Sequence, residues 1–154
     1  MTPLGCAEAI VEFIKERLAA NDEIAGCGGR EYKVYAGLLP IGLSRQQVKE
    51  LAPAIIVRPA EVTDGEDETA AIIGVYVTDY DEDLEEGGKP LFHIMEFLRF
   101  ELLTNNPINM RNQIKKGSMI STFPDEQPYP QWWGQIHFEV NLPQPKRNFS
   151  KVFQ

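Results

Sequence analysis

Four groups of residues in this 154-residue chain have types and spacings to weigh for chemistry. Asp79, Asp81 and Asp83 alternate through DYDED, as carboxylates do in the first half of an EF-hand calcium loop. The match then fails, because Leu84 stands where the tight-turn glycine belongs and Pro90 where the bidentate glutamate belongs. What remains is a solvated turn or a loose divalent-cation site. Asp125, followed by Glu139 and Asn141, has the order of a metal-dependent nuclease, where two acids hold an ion and a nearby lysine polarises the attacking water. Glu139 and Asn141 share a strand face, but Asn141 occupies the lysine's place. His93 and His137, the two histidines, lack a serine or cysteine neighbour of the kind that makes an activated nucleophile. Gly26, Gly28 and Gly29 run into Arg30 without the GKS/T element of a phosphate loop, and read as a turn. The expectation is a non-enzymatic chain without metal or cofactor, with a small nuclease using Asp125 and Glu139 as the alternative.

The elements that would position these residues are legible from periodicity. Thr2-Pro3 caps a helix whose core stripe is Leu4, Ala7, Ile10, Val11, Ile14 and Leu18, ending near Ala20. Tyr32–Leu38 reads as a short strand, and Ser44 with Gln47 forms a capping box for a helical turn before Pro53. Ala54–Val57 is an apolar strand ended by Pro59. Ala70–Tyr80 is apolar on both faces and therefore central. The acidic Thr63–Glu68 stretch links the two as a hairpin with a long mobile tip. A second helix, Leu91–Leu103, carries Leu91, Ile94, Met95, Leu98 and Leu102 inward and His93, Glu96 and Arg99 outward. Met119–Phe123 is a short strand pairing with the one that follows.

That last strand alternates cleanly. Trp132, Gly134, Ile136, Phe138, Val140 and Leu142 point one way, and Trp133, Gln135, His137, Glu139 and Asn141 the other. Its lead-in holds Pro124, Pro128 and Pro130, which cannot donate to a ladder, so it lies along an edge or reaches outward. Of two adjacent tryptophans one should be core; Trp133, with Tyr129, offers amphipathic surface for an interface or packs under its own loop. The fold expected is α+β: a mostly antiparallel or mixed sheet of about four strands with two main helices on one face. One domain covers 1–143, and 144–154 is a polar tail containing Phe149 and Phe153.

The apolar fraction of 43% supports a core without disulfide staples, so Cys6 and Cys27 are expected to be reduced. The start lacks the basic region of a signal peptide, and no apolar run approaches a membrane span; cytosolic synthesis is the expectation. The net charge of −8 argues against nucleic-acid binding. That charge is segregated: Glu61–Gly88 holds eleven acidic residues and no basic one, whereas Arg111, Lys115, Lys116, Lys146, Arg147 and Lys151 dominate the last third. Solvated loops explain this blandly; head-to-tail complementarity between copies explains it more sharply.

The helix, PAIIVRP strand, acidic hairpin into IIGVYVTDYD, LFHIMEFLRFELL helix and late PYPQWWGQIHFEVNLP strand together resemble tail terminator proteins of tailed bacteriophages and prophages. The resemblance spans Met1–Pro143 and is most specific in the late strand. It implies a structural protein of the virion tail, made in the host bacterial cytoplasm. Such proteins form a ring, typically a hexamer, that caps the tail tube, stops its polymerisation and presents a surface to the head connector. Another head-completion or tail-tube subunit is the nearest alternative. The implied partners are copies of the chain, the tail tube protein and a connector, with no membrane. The candidate assembly residues are Asp64, Glu66 and Asp67 in the hairpin, Asp79, Asp81 and Asp83 in the acidic turn, Tyr129 and Trp133, and Lys146 and Arg147 in the tail.

Overall fold

Helix α1 (Pro3–Ala19) begins where Thr2 Oγ1 accepts from Gly5 N at 2.9 Å, with proline in the first turn. The computed structural model describes residues 2–21, 23–38, 40, 42–108 and 112–145. Two adjacent rows of α1 are buried, Cys6, Ile10 and Phe13 beside Ala7, Val11 and Ile14. Leu4, expected inside, is 52% exposed: it extends the second row into the first turn, where nothing covers it. Strand β1 (Lys33–Ala36) follows, then helix α2 (Arg45–Leu51), which carries the expected capping box between Ser44 and Gln47.

Strands β2 (Ala54–Asp64) and β3 (Glu68–Tyr80) form the hairpin. Pro59 does not end β2 as expected. The β1 partner stops at Val57, so beyond it β2 is an edge, where a missing N–H breaks no second ladder. A bulge between Pro59 and Glu61 absorbs the irregularity. The hairpin tip is also shorter than expected. Gly65 N donates to Glu68 O at 2.9 Å and Thr69 Oγ1 to Asp64 Oδ1 at 2.7 Å, closing a tight turn rather than a long loop.

Helix α3 (Lys89–Thr104) then leads to β4 (Ile120–Thr122) and β5 (Gln131–Pro143). The sheet has five strands in the order β1-β2-β3-β5-β4, with β1 and β2 parallel and the rest antiparallel. The fold is α+β, an open mixed sheet with helices packed against it. One face carries Ile55, Val57, Ile73, Val75, Ile136 and Phe138, all fully buried against α1 and α3. The second face is partly covered. Lys33 Nζ donates to Glu50 O at 2.7 Å, and Lys49 Nζ lies 5.7 Å from the Tyr80 ring centroid, which seats α2 over one end of it. Cys6 and Cys27 are buried free thiols; burial pushes Cys6 up to about 11 and raises Cys27.

Candidate assembly interface

The acidic run that is continuous in sequence divides in space. Its two halves sit at opposite ends of β3, which at about 3.3 Å per residue places them roughly 40 Å apart. At one pole, Asp64, Glu66 and Asp67 are exposed on the hairpin tip, although the Asp64 carboxylate is held by Thr69. The β5 strand ends beside this pole: Pro143 pairs with Glu68, and Gln144 Nε2 donates to Gly65 O at 2.6 Å. Lys146 and Arg147 follow in sequence and lie outside the described residues.

At the other pole the acids differ sharply from one another. Asp79 is only 1% exposed and cannot present a surface to a partner, which corrects its place in the candidate set. It continues the Val75–Val77 row inward and is met by Arg30, whose Nε lies 2.9 Å from Oδ2. Gly26, Gly28 and Gly29 take φ of 81°, 60° and 73°, and this turn delivers Arg30 to the carboxylate. Arg30 Nη2 also reaches Asp81 at 2.8 Å, and its Nη1 donates to Cys27 O at 3.0 Å. Burial raises the Asp79 pKa, while the Arg30 charge and the Tyr80 N–H oppose that shift. Tyr32, half-buried beside Asp79, is raised by desolvation first and by the carboxylate second. Asp83 is exposed and serves the turn itself, accepting from Glu85 N at 3.0 Å and Glu86 N at 3.1 Å. Among the described residues no group of three or more acids, histidines and cysteines is placed to hold a metal ion.

The proline lead-in does not reach outward. Gln127 Nε2 donates to Pro124 O at 2.8 Å and Trp133 O at 3.0 Å, and its Oε1 accepts from Trp133 N at 2.7 Å. The segment is thereby folded back on β5. Tyr129 donates to Glu82 O at 2.6 Å and stands edge-on to Trp132 at 6.1 Å, so it braces the acidic turn while remaining partly exposed. Trp132 packs against the core and donates to Asp81 O at 3.0 Å. Trp133 is half-buried on the second face, opposite Trp132 as expected.

The two acids of the nuclease alternative belong to different segments. Thr122 pairs with Gln135, and Asp125 follows in the lead-in, two residues before Gln127, which binds the Trp133 backbone. Glu139 lies six residues further along β5, about 20 Å away at the strand rise. Its carboxylate is already paired with Lys115 at 3.1 Å.

A surface that the sequence reading missed lies on α3. Phe92, Phe100 and Leu103 are 55%, 59% and 48% exposed on the side of α3 away from the core stripe, with the paired Glu96 and Arg99 between Phe92 and the other two; together with Phe92's neighbour Phe123 they make an interrupted apolar seam. Phe92 stacks on Phe123 at 4.8 Å, which extends the seam onto the chain leaving β4. Its signal was present as apolar residues out of phase with Leu91, Ile94, Met95, Leu98 and Leu102. No helix is long and apolar enough to cross a membrane among the described residues. The comparisons add no family assignment: no family model matches the chain, and no curated protein matches it.

Proposed function

We propose that this chain is a structural subunit of a phage tail, a terminator that caps the tail tube as a ring and forms the head-joining surface. The observation that carries the reading is the aromatic seam of α3. A domain whose core is already filled still leaves Phe92, Phe100, Leu103 and Phe123 in water. Several large apolar side chains left exposed on one side of a packed domain, around a charged pair, mark a candidate protein contact. The second support is the separation of surface types. A closed ring uses two different patches on each copy, and here exposed apolar residues of α3 and two acidic ends of β3 occupy different parts of the domain.

The test is capping. The purified chain is added to tail-tube subunits from the same genome while they polymerise, and tube ends are examined by negative-stain electron microscopy with an antibody label. The expected result is label at one end only and arrested elongation. Filaments formed by the chain alone would assign it as a tube subunit instead. Tubes that grow normally and carry no label would overturn the reading.

A further inference from the structure

Between α2 and the lead-in to β5, two adjoining cavities of about 430 and 450 Å³ form one groove across the second face of the sheet. Its walls are Leu43 and Val48 on one side and Tyr80, Pro128, Tyr129 and Trp133 on the other. Both tyrosines are tied to the acidic turn, Tyr80 to the Glu82 carboxylate at 2.9 Å and Tyr129 to its carbonyl at 2.6 Å. The groove is thus apolar on its floor and meets Glu82, the first exposed acid of the acidic turn, at one rim; Asp83, Glu85 and Glu86 follow it in the turn. Arg45 lines the α2 side and Lys49 Nζ lies 5.7 Å from the Tyr80 ring centroid, so the cations sit on the α2 side and the carboxylates on the side of the acidic turn.

We infer that this groove takes the basic C-terminal segment of a second copy of the chain, with Phe149 and Phe153 on the apolar floor and Lys146, Arg147 and Lys151 toward the acidic rim. The inference deepens the ring reading by naming a joint between neighbours. The apolar floor suits the two phenylalanines, and the carboxylates on the Glu82 side suit the three cations, which would lie away from Arg45 and Lys49. Reach decides which copy supplies the segment. Gln144 is pinned to Gly65 at the hairpin pole. The groove lies at the Tyr80 end of β3, roughly 40 Å away at the strand rise. Phe149 and Phe153 follow Gln144 by five and nine residues, which extend at most about 18 and 32 Å. A chain therefore falls short of its own groove but can enter that of a neighbour. Such a contact is heterologous and propagates from copy to copy until it closes.

The probe is a fluorescent peptide of residues 144–154, QPKRNFSKVFQ, titrated onto the full chain and followed by anisotropy, with a scrambled peptide of equal charge as control. Saturable binding is expected, weakened at least about tenfold by Val48→Lys or Leu43→Lys and less than about threefold by Glu66→Lys. Thermal melts of the variants establish that they remain folded. Three results would each overturn the joint: no binding, equal binding of the scrambled peptide, or loss on Glu66→Lys with retention on Val48→Lys. The last would place the segment on the hairpin of its own chain. Tail tubes capped by a Val48→Lys variant that ignores the peptide would remove the joint and keep the terminator reading. Peptide binding without capping would do the reverse.

Discussion

At the residue scale the decisive group is Arg30. It neutralises a carboxylate that the fold has taken almost wholly out of water, and it also holds Asp81, so one side chain ties the glycine turn to the acidic pole. Removing one partner of a buried pair leaves an uncompensated charge, at a cost of about 3–5 kcal/mol. Arg30→Ala should therefore lower stability at neutral pH by about 3 kcal/mol, measured by urea denaturation. The pH dependence has a definite sign. Burial already raises Asp79, and losing the arginine removes an opposing influence, so the folded state of the variant takes up a proton more readily than the unfolded chain. A folded state that binds more protons gains stability as pH falls. The deficit of Arg30→Ala relative to wild type should shrink as pH falls from neutrality toward the ordinary carboxylate range. A deficit that stays constant or grows on acidification would show that Asp79 is not the orphaned group.

At the element scale α3 has two apolar faces with different duties. Leu91, Ile94, Met95, Leu98 and Leu102 hold the helix on the sheet, while Phe92 and Phe100 are largely exposed, Phe92 stacking on Phe123, and Leu103 lines a cavity with Ile114 and Met119. Surface substitutions away from such contacts usually change stability by no more than about 0.5 kcal/mol. Phe100→Ser should leave the melting temperature nearly unchanged and abolish attachment to tail tubes in the capping assay. Loss of stability with retained attachment would make Phe100 a core residue and remove the seam. The core stripe was legible in the sequence because a helix buries residues at a 3.6-residue period, and the strands were legible because theirs is two. The seam was less so, since a second apolar row breaks no rule of helix formation. The same period of two contained a further signal: Asp79 follows Ala71, Ile73, Val75 and Val77 on the inward face, which marks it as buried rather than as surface. Its partner was not legible, because Arg30 is 49 residues away in the chain and a long-range ion pair leaves no local spacing. The tight hairpin and the folded-back lead-in were hidden for a related reason. Side chains of Thr69 and Gln127 close them, whereas composition registers only acids and prolines.

For the molecule as a whole, β3 acts as a spacer that sets the root of the basic segment at one end and the acid-rimmed groove at the other. In the proposed joint a copy with such polarity meets its neighbours through charge, and this would make association sensitive to ionic strength. The screening length falls from about 10 Å at 0.1 M salt to about 3 Å at 1 M. If the groove joint supplies the contact between copies, the weight-average mass in sedimentation should fall toward the 17.4 kDa monomer over that range, and the peptide affinity should fall in parallel. The α3 seam makes the opposite demand. Apolar burial gains little from dilute salt and is strengthened by excluded anions such as sulfate. A mass that holds or grows as sodium sulfate is added would place the joint between copies at the seam and leave the groove to another partner. Sodium chloride and sulfate titrations run side by side on the same preparation thus separate the two surfaces without a substitution, and a fall in both is the outcome that the head-to-tail arrangement requires.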